Sequence, residues 1–263
     1  MRPTLLGMLG MLAIFSVPAV TTDAAAQSRD TIFAEVGHPS IDGRMMRDHA
    51  ARVRIYRGDS LVSQWLNELT VGDSAGRRVM RWVTTGEPVP LLPGRPTSVL
   101  RQTYDARTLA PLGYSITGSG GGYVHLTVDG KTVRGVRKAP AEAAPSHVET
   151  PFERIGFFAG ATDLVPIAAG LRKGTVMVAP AWSPATPTTT EDRVFTVIGD
   201  TTVMVEGKPR RSTKVEEHRR ATGVLYANWY LLLESPYMVY GELPLPDGRV
   251  QRMTEEEVPL RKP

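Results

Sequence analysis

Alternation with a period of two, interrupted at short intervals by turn residues, constrains this chain more than any other feature. Segments 52–56, 78–83, 123–128, 193–198, 202–205, 224–233, 237–243 and 249–254 set β-branched or aromatic residues among polar ones, which is the pattern of strands. Asp129-Gly130 predicts a tight hairpin turn, and Pro246-Asp247-Gly248 another between the last two strands. Arg57-Gly58-Asp59 and Gly199-Asp200 read as two more turns. Hairpins in series make an antiparallel meander and not a βαβ fold. Helical spacing occurs once, at 161–171, with Leu164, Ile167, Ala168 and Leu171 on one side and Asp163 as N-cap; Pro166 keeps that helix short. The expected fold is therefore mainly β, a curved antiparallel sheet or open β-barrel meander with one short helix. Segments 88–97 and 179–190, rich in Pro, Ala and Thr, read as long loops. Residues 139–151 read as a linker between an N-terminal strand set (27–138) and a C-terminal set (151–263) of one β-rich domain.

The first residues predict export. Arg2 precedes an apolar run from Leu5 to Val17, Pro18 ends it, and Ala24-Ala25-Ala26 gives the small-x-small pattern of a signal-peptidase site. The run is shorter than the ~20 apolar residues of a membrane span, no later segment is long and apolar enough to span, and no Cys follows to carry a lipid. The expectation is a signal peptide at 1–26, cleaved after Ala26, and a periplasmic or secreted protein without a transmembrane segment. The sequence holds no Cys at all, so neither disulfides nor cysteine metal sites are available. Its net charge of +4 is spread through mixed-sign runs such as Lys214-Val215-Glu216-Glu217-His218-Arg219-Arg220, whereas nucleic-acid binding needs clustered cations.

Motifs of catalysis fail on inspection. Gly118-Ser119-Gly120-Gly121-Gly122 with Gly130-Lys131-Thr132 lacks the Walker spacing, since His125 stands where Gly is needed, and strands flank it on both sides. Ser115 lies in Gly113-Tyr114-Ser115-Ile116-Thr117, where Thr117 replaces the second Gly of a nucleophile elbow. None of the five histidines pairs at metal-ligand spacing; three lie near turns or linkers, as exposed residues do, and His125 alternates away from its apolar neighbours. Glu255-Glu256-Glu257 point to alternate faces of a strand and read as a solvated C-terminal edge. The expectation is no catalytic residue, no metal and no cofactor.

The aromatic residues are the candidate binding set. Trp65, Trp82, Tyr104, Tyr226, Trp229 and Tyr230 fall on predicted strands, and on a curved sheet such side chains line either the core or an apolar groove. Segment 224–233 is apolar on both faces, as in a strand buried on both sides or facing a cavity.

Ile41-Asp42-Gly43, Gln64-Trp65-Leu66-Asn67-Glu68-Leu69, the stretch from Arg101 to Leu112, Asn228-Trp229-Tyr230, the stretch from Glu234 to Tyr240, and Gln251-Arg252-Met253-Thr254-Glu255 together resemble an uncharacterised exported bacterial family with LolA-like features. That resemblance implies a strongly bent antiparallel sheet around a short helix and the handling of a lipid or acyl chain, with no catalytic residue. The expected function is non-enzymatic binding of an apolar or amphipathic, lipid-like ligand in the cell envelope. The rivals are a structural or protein-interaction module of the envelope, gripping a partner by its sheet edges or loops, and an uncharacterised hydrolase.

Overall fold

The computed structural model describes residues 31–89, 97–118, 120–184 and 190–260; the leader expected at 1–26, Ser119 and most of the loop expected at 88–97 lie outside them. The chain begins with β1 (Thr31–Phe33) and then climbs through a meander of β2 (His49–Arg57), β3 (Ser60–Ser74), β4 (Arg77–Glu87), β5 (Ser98–Asp105), β6 (Pro111–Gly118), β7 (Tyr123–Asp129), β8 (Thr132–Lys138) and β9 (Ser146–Pro151). A crossover follows, carrying β10 (Phe157–Phe158) and α1 (Leu164–Ala168). The second meander is β11 (Val176–Trp182), β12 (Thr190–Val205), β13 (Lys208–Arg219), β14 (Leu225–Leu231), β15 (Met238–Pro244) and β16 (Val250–Val258).

The two meanders form one open sheet of 16 strands. They are joined where β16 lies antiparallel to β2, from Gln251↔Arg57 to Val258↔Ala50. β9 ends the sheet on one side. On the other, β11 is flanked by β1 and β10, both parallel to it, so short pieces of chain cover much of that edge.

Several expectations change with the register. The linker expected at 139–151 shortens, because Ser146–Pro151 pairs with β8; Pro151, which cannot donate to a ladder, sits at the end of an edge strand. The loop expected at 179–190 loses its first part to β11, which reaches Trp182. Gly199-Asp200 is no turn. β12 runs straight through it with a register shift between Val197 and Gly199, and the φ of +125° at Gly199 accommodates this bulge. The β7–β8 turn falls one residue later than expected, on Gly130-Lys131, since Asp129 pairs with Thr132.

The crossover fills the concave side of the sheet. All five residues of α1 are buried, as befits a helix apolar on every side. It is shorter than the expected 161–171, and Asp163 stands at its N-cap position without making a side-chain capping bond. Around it gather Phe157, Phe158, Trp182, Phe195 and Tyr104, each 2% exposed or less. No helix among the described residues is long and apolar enough to cross a membrane.

Candidate functional site

A cavity of about 410 Å³ opens on the concave side, between the crossover segment just before α1 and the strands around the β16–β2 seam. The alternation of β3 turns Ser63, Trp65 and Asn67 toward it, and the register sets Trp65 beside Val53 and Gly86, and Asn67 beside Thr84. Trp82 and Gln102, opposite each other on β4 and β5, line it as well. The far wall is Trp229, Met238, Met253 and Glu255; Gly160 and Asp163 of the crossover complete the lining. Gly241 faces Trp229 across the β14–β15 pair, and a Cβ there would lie 2.9 Å from the Trp229 ring. Only glycine lets the indole lie across that strand.

Of the six aromatic residues proposed from the sequence, Trp65, Trp82 and Trp229 meet at this cavity. Tyr104 packs edge-on against Phe158, with ring centroids 5.3 Å apart, inside the core. Tyr226 lies in a β-bulge with the Arg193 guanidinium 4.1 Å above its ring. Tyr230 pairs with Tyr240 at 5.3 Å, on the opposite side of β14 from Trp229. The inward face of β14 is buried at Ala227, Trp229 and Leu231, while Val224 and Leu233 are exposed, so segment 224–233 is not buried on both faces.

The polar residues of the cavity escaped the sequence reading. Glu255 does not belong to a solvated edge: β16 is an interior strand, and Glu255 is 7% exposed. Glu256 on the opposite face pairs with Arg54, and Glu257, nearer the strand end, is exposed and accepts from Ser235 Oγ at 2.7 Å. Alternation separates Glu255 from Glu256, and the placement of β16 within the sheet decides which of the two is inside. Asn67 donates its amide to Glu255 and accepts from Thr84 Oγ1 at 2.7 Å. Gln102 is 4% exposed and its side chain lines the cavity. Of the histidines, His49 is buried against Tyr237 with centroids 4.9 Å apart. His125 is exposed, in a shallow groove with Ser115, Arg101 and Arg134 whose lining holds no carboxylate.

Burial governs the acids. It pushes the Asp163 carboxyl up to about 6 against the pull of two backbone N–H groups. It holds Glu255 well above the ordinary carboxylate range, helped by the nearby charge of Asp163. Glu217, beneath Trp229, is pushed up to about 7 by burial despite the Trp229 and Arg193 donors. A carboxyl that titrates higher folded than unfolded keeps extra protons in the fold. Its contribution to stability is complete below the ordinary range near pH 4 and is lost as pH rises through about 6–7. His49, pushed down by its own burial, acts in the opposite sense but is one group against three. The melting temperature is therefore expected to fall between pH 5 and pH 8. Asp163→Asn should flatten that profile and raise stability at pH 8 by on the order of 2 kcal/mol. A melting temperature that is level or rises over this range would contradict the assignment.

No family model, curated protein sequence or solved structure matches the chain.

Proposed function

We propose that this is a non-enzymatic binding protein for an apolar or amphipathic, lipid-like ligand, acting in the periplasm or outside the cell. The observation that carries the reading is the cavity: about 410 Å³, walled by three indoles together with Val53, Leu100, Ile116, Met238 and Met253. Its volume falls among small-molecule sites, and an apolar wall with a few convergent polar groups is their usual chemistry. The signal-peptide pattern at 1–26 and the LolA-like resemblance of the sequence support the same reading.

The test is native mass spectrometry of protein purified without detergent from the compartment to which it is exported, with lipid analysis of what leaves on denaturation. A discrete small molecule is expected, and Trp229→Ala should retain it several-fold less well. An apo mass together with a stoichiometric protein partner would replace this reading with the envelope-interaction module.

A further inference from the structure

We propose that the ligand carries a cationic amine or quaternary ammonium head, held between the faces of Trp65, Trp82 and Trp229 and the carboxyls of Asp163 and Glu255. This rests on the binding reading above and narrows it to a class of ligand.

The charge pattern of the molecule is the first argument. Other inward or half-buried acids already have a cation: Arg193 reaches Glu217 at 3.1 Å, Arg77 reaches Asp105 at 2.8 Å, and Glu87 at the cavity rim is bound by Arg52 at 3.0 Å. Asp163 and Glu255 differ. Among the described residues no lysine or arginine lines the cavity. The groups that stabilise these two carboxyls are backbone N–H for Asp163 and the Asn67 amide for Glu255. Setting two acids in an apolar enclosure without a counter-charge is costly, and a cation entering the cavity would supply it.

Gln102 is the second, independent argument. The residue is 4% exposed and lines the cavity, and among the described residues no hydrogen bond occupies its carboxamide, so it is left to face whatever enters. Its oxygen can accept from an amine. The indoles are the third. Indole is the best of the aromatic rings for cation–π attraction, which strengthens when the cation is desolvated, and three of them share one enclosure here. A bare metal ion fits less well, because among the described residues no three His, Asp or Glu gather as ligands.

Proton bookkeeping follows from the surroundings. Asp163 and Glu255 are faced by each other, by the Glu217–Arg193 pair and by the Tyr104 hydroxyl, and the Glu87–Arg52 pair lies at the rim. A cation bound to the two acids must ionise them. Its affinity should rise from pH 5 to pH 8, while that of a neutral ligand should not.

The experiment compares decyltrimethylammonium, decanol and decanoate, each below its aggregation concentration, by tryptophan fluorescence and calorimetry at both pH values. The expected result at pH 8 is binding of the ammonium probe at least tenfold tighter than either of the others. In Asp163→Asn/Glu255→Gln that preference should vanish with decanol binding retained, and retained decanol binding also shows that the variant is folded. Equal binding of all three probes, or preference for decanoate, overturns the cationic head and leaves the apolar cavity standing. Failure of every decyl probe overturns the apolar-ligand reading itself and this inference with it. Tetramethylammonium separates the sources: binding as tight as the decyl compound assigns the head site to a small free ammonium compound and removes the lipid-like tail, whereas much weaker binding supports an amphiphile.

Discussion

Phe158→Ala is expected to remove about 3–5 kcal/mol of folding stability, the range for truncating a buried aromatic side chain. Phe158 is fully buried, and its ring reaches three others: Tyr104 at 5.3 Å, Tyr114 at 5.8 Å and Trp182 at 5.1 Å. Tyr104 and Tyr114 belong to β5 and β6 of the first meander, Trp182 to β11 of the second. Among the described residues the two meanders meet along the sheet only at the β16–β2 ladder, so the crossover supplies a second tie between them. Truncation would leave a void among rings that cannot all collapse into it. Against the 5–15 kcal/mol of a typical domain, such a loss brings unfolding within easy reach of mild urea. Urea titration followed by circular dichroism measures it, with Phe158→Leu as the control that keeps most of the volume and should cost markedly less. A loss below about 1 kcal/mol for the alanine variant would show that the sheet holds its curvature without the crossover.

The same crossover marks where the sequence stopped being readable. Strands such as β2, β4 and β7 announce themselves by alternation, and the sharp turns at Gly58-Asp59 and Pro246-Asp247-Gly248 follow from their own residues. The β16–β2 ladder does not. Its partners lie almost a whole chain apart, and nothing local in Arg54 or Thr254 names the other. β1 and β10 are short and become strands by pairing with β11, which is not their neighbour in the chain, while β9 and β11 carry proline and extend the ladders of β8 and β12. Helical spacing located α1 but not the role of Asp163, which looks like an ordinary cap until the cavity behind it is known. Glu255 is the clearest case. An acid that alternates with Thr254 and Glu256 is half the time outside, and only the placement of β16 within the sheet decides the matter. Trp65, Trp82 and Trp229 are easier, because a large ring on a strand has few alternatives to core or cavity wall, whereas Trp182 falls in the segment expected to be a loop and is core on β11.

Glu217→Ala should cost about as much as the loss of Phe158, by a different route. Glu217 is 0% exposed. One carboxylate oxygen accepts from Arg193 Nη1 at 3.1 Å and the other from Trp229 Nε1 at 2.7 Å. Removing it strands a buried indole N–H and leaves Arg193, 7% exposed, with Glu191 at 2.8 Å as its remaining ion-pair partner. The Arg193 Nε already lacks an acceptor, so the guanidinium has no spare bond to lose. Breaking one side of a buried pair typically costs about 3–5 kcal/mol, and that is the expected loss in chemical denaturation at pH 7. Glu217→Gln keeps the shape and one acceptor. Because the native carboxyl is pushed up to about 7, the glutamine variant should gain on the native protein as pH rises from 5 to 8. The indole gives a second readout that a purely structural loss elsewhere would not. Trp229 is a cavity wall, and Glu217 is what fixes its ring. Glu217→Ala should thus weaken decyltrimethylammonium binding several-fold, whereas Phe158→Ala, studied where it is still folded, should change it less. If Glu217→Ala costs under about 1 kcal/mol, Glu191 alone satisfies Arg193. If the cost is large but binding is untouched, the packing of Gly241 against the ring, and not the hydrogen bond from Nε1 to Glu217, holds Trp229 in place.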